Sequence, residues 1–350
     1  MDGTPDTITP PADPPRHRRG LKFIIQALGF VVGLALLWWC ISKAFGGEDS
    51  RQSLERLRHA STGQIAALLA FSLGTLIANG LVFHQTIRPV RKIDAFDTIS
   101  INAIATFLNY LPFKLSVIFR VTTHSKRDRL PLLLIGAWMA AIAAILLTVL
   151  GTITLTAFLT RHAEPLVRLA VGVGFLAIFG TAVVLVARYF AGVRGLDRLA
   201  ALARATRLGF AEKIVRSEHF AQIHACTAML MSPATVAGTI ALRVIDIALQ
   251  AARYTTAAQI LGEPLSYADA FVLASAGFFA GIISPSGQLG TREGAIVFLA
   301  ATLGVGGAKE FARVALLVTA TEAIAFLVGA GLGIARLGPN RLFQPRAVTR

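Results

Sequence analysis

The residues best placed for chemistry are Arg292 and Glu293, in the stretch 278–298, FFAGIISPSGQLGTREGAIVF. Two apolar arms flank a polar break made of Ser284, Pro285, Ser286, Gly287, Gln288 and Gly290. Each arm falls short of the about 20 apolar residues that cross a bilayer core. Pro285 and Gly287 stop a helix and free backbone groups. In hydrocarbon those groups need protein or a wet cavity. The stretch therefore reads as a re-entrant hairpin with its charges near the tip. An intramembrane charge pair beside broken helices predicts a functional site. Arg292 can hold a phosphate bidentately, and Glu293 is expected to pair with it when the site is empty, or to carry a proton. The competing structural reading is a tether to a neighbouring helix, or an arginine reaching for the interface.

Three further groups could line a polar path. Lys114 and Arg120 follow Pro112, which breaks the stretch 94–120 near its middle. They would complement Arg292 from the other leaflet, or be ordinary cytoplasmic positive charge. Arg243, Asp246, Gln250 and Arg253 are spaced three, four and three apart, so they share one helical face. Such a face must meet a cavity or a partner helix. It could be a headgroup track or a self-neutralising lock. Glu322 is alone in an apolar run, so it needs a partner, Arg292 or Arg243, or a proton. Asn79, His84 and Asn109 read as interhelical hydrogen-bonders. No catalytic, metal or cofactor constellation stands out. Cys40 and Cys226 suggest no disulfide or metal site, and no Gly-Lys-Ser/Thr phosphate loop points to ATP.

The elements that must position these residues are membrane helices. The chain has 350 residues, 55% hydrophobic and only 15% charged, with a mean hydropathy of +0.65. Soluble domains run near 25% charged. The expected fold is an all-α, polytopic integral membrane protein with about six full spans and two re-entrant hairpins. The spans are 23–41, 65–82, 132–159, 166–187, 235–261 (bent near Pro233) and 314–334. The formal charge of +15 falls on segments that would all lie on one side, as the positive-inside rule expects. Both termini are therefore placed in the cytoplasm, with the protein in a bacterial inner membrane. Residues 1–20 read as a disordered tail, 21–340 as the membrane domain, 188–217 as an amphipathic connector on the inner surface, and 341–350 as a second tail. Attraction to anionic lipid is a second use of the charge; nucleic-acid binding is not supported.

The two hairpin regions resemble each other. Asp94-Ala95-Phe96 recurs as Asp269-Ala270-Phe271. A proline follows 18 and 16 residues later, and an arginine eight and seven after that. Each hairpin has a span on either side, so halves of about 64–160 and 234–336 would form an inverted repeat, one hairpin opening inward and one outward.

The run Pro285 to Gly294, PSGQLGTREG, resembles the Pro-Gly-Gly-x-Gly-x-Arg-Glu motif of the flippase-like transmembrane domain of lysylphosphatidylglycerol synthases. That family has stand-alone relatives, some associated with hopanoid biosynthesis. Asn109-Tyr110-Leu111-Pro112 through Arg120 resembles its first motif. Ser286 and Gln288 depart from the second motif. Phe113, Lys114, Leu115 and Ser116 replace the Gly- and Glu-bearing turn of the first, which removes its acid. The resemblance implies translocation of a lipid with an anionic headgroup, not aminoacyl transfer, since no soluble transferase domain follows the last span. Membrane lipids, and lipid-synthesis enzymes, are the expected partners. The rival readings are an integral-membrane transferase, for which Glu48-Asp49 is the placed acidic doublet, and a non-transporting scaffold.

Overall fold

A computed structural model describes residues 16–45, 49–111, 114–160, 163–205, 209–224, 227–283, 288–303, 308–339 and 342–344. Pro112, Pro285, Ser286 and Gly287, expected to break the hairpins, lie outside these residues, as do Glu48 and Cys226. The elements are helices: α1 (Arg16–Phe45), α2 (Asp49–Arg58), α3 (Thr62–Ile87), α4 (Ala95–Leu108), α5 (Leu115–Lys126), α6 (Leu132–Leu159), α7 (Pro165–Tyr189) and α8 (Gly192–Ala205). There follow α9 (Gly209–Val215), α10 (Glu218–His224), α11 (Ala228–Met231), α12 (Pro233–Leu261), α13 (Tyr267–Ile283), α14 (Thr291–Leu303) and α15 (Ala308–Leu337).

Among the described residues, α3, α6, α7, α12 and α15 are long and apolar enough to cross a membrane. The apolar windows located them, and the helices run past those windows because backbone hydrogen bonding continues into capped polar ends. Ser61 shows this at the start of α3. It accepts from the Gln64 amide while the Gln64 side chain accepts from the Ser61 amide, a capping box. α1 takes in Arg16 to Gly20, so the last part of the expected tail is helical.

Two other expectations change. Pro233 does not bend α12. It occupies the first turn, where its missing N–H is harmless, and Ser232 caps that end by accepting from the Thr235 amide at 3.3 Å. Ser232→Ala should therefore lower thermal stability in detergent by about 1 kcal/mol; an unchanged melting temperature would show that the cap is redundant. The connector 188–217 is not one helix. α7 extends through Tyr189, and the amphipathic remainder is α8 and α9, packed on each other.

α4, α5, α13 and α14 are short: 14, 12, 17 and 13 residues. At 1.5 Å per residue each spans about 18–26 Å, less than the about 30 Å of a hydrocarbon core. They pair as two antiparallel hairpins, α4 with α5 and α13 with α14. The hairpin tips meet: the Gln288 N–H donates to the Asn109 carbonyl at 3.2 Å.

The helix contacts fall into pairs of the same kind. α3 lies against α12 at the centre. α4 packs on α15, and α13 on α6. α3 touches α15, and α12 touches α6. α5 meets α6, and α14 meets α15. Capping sharpens the correspondence. Asp94 caps α4 by accepting from the Asp97 amide, whereas Ser266 caps α13 by accepting from the Asp269 amide. The acid at the third helical position is thus Asp97 in one hairpin and Asp269 in the other. From each, the hairpin arginine, Arg120 or Arg292, lies 23 residues on. The tripeptide similarity is offset by three residues from this structural register.

Candidate functional site

α12 carries the charged stripe into the centre of the molecule because α3 covers it. Arg243, Asp246, Gln250 and Arg253 are all buried. Arg243 Nη1 donates to Asp246 Oδ2 at 2.6 Å, and Gln250 Nε2 to Asp246 Oδ1 at 3.3 Å. Arg243 Nη2 reaches Asn79 Oδ1 on α3 at 3.2 Å. Asn79 donates in turn to Asn102 on α4, and Arg120 Nη2 donates to the same Asn102 Oδ1 at 2.6 Å. One polar relay therefore links α12, α3, α4 and α5.

The second half of the site is built on the first turn of α14. Gly290, at φ +81°, precedes the helix. Its N–H donates to Glu293 Oε2 at 2.6 Å, one half of a capping box. Glu293 Oε1 accepts from the Thr319 hydroxyl on α15. Glu293 is thus spent on holding the hairpin tip, and it does not line the cavity described below. The expected Arg292–Glu293 pair is present but long, at 3.7 Å from Nε to Oε1. Adjacent helical residues point about 100° apart and do not face each other squarely. The guanidinium's Nη atoms turn to Glu322, with Nη1 to Oε1 at 2.9 Å and Nη2 to Oε2 at 2.5 Å. Arg253 Nη1 approaches Glu322 Oε2 at 3.2 Å. Two buried arginines, from α12 and α14, clasp one carboxylate on α15.

Lys114 sits at the tip of the first hairpin, in the left-handed region at φ 50°, and is exposed. Arg120 is 8% exposed, with its guanidinium 4.0 Å from the centre of the Phe83 ring. Stacking on an aromatic face suits a guanidinium that has left water.

Asn79, Lys114, Arg120, the α12 stripe, Arg292 and Glu322 border one cavity of about 280 Å³. Among the described residues its walls carry five basic side chains, Lys114, Arg120, Arg243, Arg253 and Arg292, and two acidic ones, Asp246 and Glu322. That is an excess of three positive charges. Asn109, Gln288, Thr106 and Ser116 line it as well. No cluster of metal-ligating side chains occurs among the described residues.

A model of the lysylphosphatidylglycerol synthase TM region matches residues 26–333. The chain belongs to that family. No curated protein and no solved structure matches it. The match spans α1 to α15 and agrees with the apolar helices, so this member of the lysylphosphatidylglycerol synthase TM region family is a multi-pass membrane protein. Three residues that organise this family member's site were not anticipated. Asn102 joins Arg120 to Asn79, Thr319 bridges Glu293 and Arg292, and Ser72 accepts from Arg253 at 3.2 Å. A polar side chain within an apolar helix was their signal, shared with many residues that only back-bond to their own helix.

Proposed function

We propose that the protein moves a lipid with an anionic phosphate headgroup across the bacterial inner membrane, the head passing through the central cavity while the tails stay in the bilayer. In this reading α1 is a sixth span and both termini are cytoplasmic. The two hairpins are re-entrant and open to opposite faces, as halves of an inverted repeat. Their short helices and the bond between their tips support it.

One observation carries the reading: the basic excess in the cavity between the hairpins. A bare phosphate in hydrocarbon costs far more than thermal energy can supply. Arginines replace its water with charge-assisted hydrogen bonds. The volume admits a headgroup rather than a whole lipid, being at the small end of ligand pockets. Direction then comes from a gradient or from mass action.

The test is a leaflet-protection assay. Proteoliposomes carry fluorescent phosphatidylglycerol in both leaflets, and a membrane-impermeant reductant is added. Quenching that proceeds well beyond the outer-leaflet share is the expected result. Quenching that stops there, with chemical turnover of a lipid-linked donor instead, would favour the transferase.

A further inference from the structure

The cavity's arginines differ in how they are neutralised. Arg253 and Arg292 share Glu322, and Arg243 has Asp246. Among the described residues Arg120 hydrogen-bonds only the neutral Asn102, through one of its guanidinium nitrogens, and Lys114 makes no ion pair. A guanidinium this buried without a carboxylate is electrostatically incomplete. Thr106, 9% exposed, borders the same cavity, and its hydroxyl has no hydrogen-bond partner among the described residues. Ser116 and Asn109 border that cavity too.

We infer that Arg120, Lys114 and Thr106 form an anion subsite open in the resting protein, whereas the subsite at Arg253 and Arg292 is closed by Glu322 standing where a phosphate would bind. The inference rests on the lipid-translocation reading for its ligand class, a phosphate ester. A phosphate enters at the first hairpin and reaches the second only when it displaces the Glu322 carboxylate. Both ligands present two oxygens to the same guanidinium fork, so the exchange preserves the bonding pattern. The conspicuous family-motif arginine, Arg292, is then the second to bind.

The experiment measures binding to the intact protein in detergent by calorimetry, with dihexanoyl phosphatidylglycerol and, separately, inorganic phosphate. The wild type should bind the short-chain lipid at one site. Arg120→Gln should weaken it about tenfold or more, the loss of one charge-assisted hydrogen bond. Glu322→Gln should strengthen binding or add a second site. Lys114→Gln, at an exposed position, should weaken binding with no change in melting temperature, which covers the case in which Arg120→Gln does not fold. Unaltered affinity in both Arg120→Gln and Lys114→Gln would overturn the subsite. So would weaker binding in Glu322→Gln. Equal affinity for inorganic phosphate would overturn the assignment to a lipid head. Binding that depends on Arg120 in a protein that moves no lipid would leave the subsite standing and remove the transport reading. Lipid movement without such dependence would do the reverse.

Discussion

Arg292→Ala should stop lipid movement in proteoliposomes and lower the melting temperature of the purified protein. The side chain makes two hydrogen bonds to Glu322, at 2.9 and 2.5 Å, and a further one to Thr319 at 3.2 Å. Removing one partner of a buried pair leaves the other charge uncompensated, which costs about 3–5 kcal/mol. Arg253 remains 3.2 Å from the same carboxylate, so the lower end of that range applies. The protein should still insert, because span hydrophobicity is untouched. A double-mutant cycle separates the roles. Arg292→Ala with Glu322→Ala removes both charges and should recover part of the stability, as coupled residues do. It should not recover transport. Restored flux in the double variant would make the clasp a structural tether and nothing more.

Gly290→Ala should be nearly as damaging to the fold. The residue lies at φ +81°, a region that costs an L-residue about 1–2 kcal/mol. A Cβ there would land on the Gly33 carbonyl oxygen of α1 and come within 3.1 Å of the Leu37 amide nitrogen. These neighbours are backbone and cannot rotate away. Overpacking adds about 1–3 kcal/mol. Because Gly290 also starts the turn that aims Arg292, flux should fall together with stability. The partner residue is a control. At Gly33 the nearest atom to a Cβ is the Leu289 carbonyl oxygen, 2.8 Å away, and φ is not positive. Gly33→Ala should therefore cost less. A Gly290→Ala protein that melts like the wild type would mean that α1 does not sit against the hairpin tip.

The apolar windows placed α6 at 132–159 and found the other long helices with ends up to six residues off, since a hydrocarbon core demands length and composition that both show in one dimension. The stripe on α12 was legible for the same reason. Its charges lie on one face by spacing alone, and burial is the only economical place for that face. The correspondence between the two hairpin regions was less so. Similar tripeptides suggested it, but helix capping shifted the matching acids from Asp94 and Asp269 to Asp97 and Asp269.

Charge, hydropathy and helical period thus decided by themselves that this is a polytopic helical protein, and which of its residues are too polar to face lipid. They are local properties, and one strand of sequence contains them. Which cation meets which anion was decided only in three dimensions. Glu293 follows Arg292 in the chain yet serves the turn at Gly290, while Glu322, on α15, takes the arginine. The sequence left Arg120 between a polar path and ordinary cytoplasmic charge, and the fold turned it inward over Phe83 without a carboxylate among the described residues. Ion pairing depends on how helices far apart in sequence are packed side by side, and adjacency along a helix points neighbours apart.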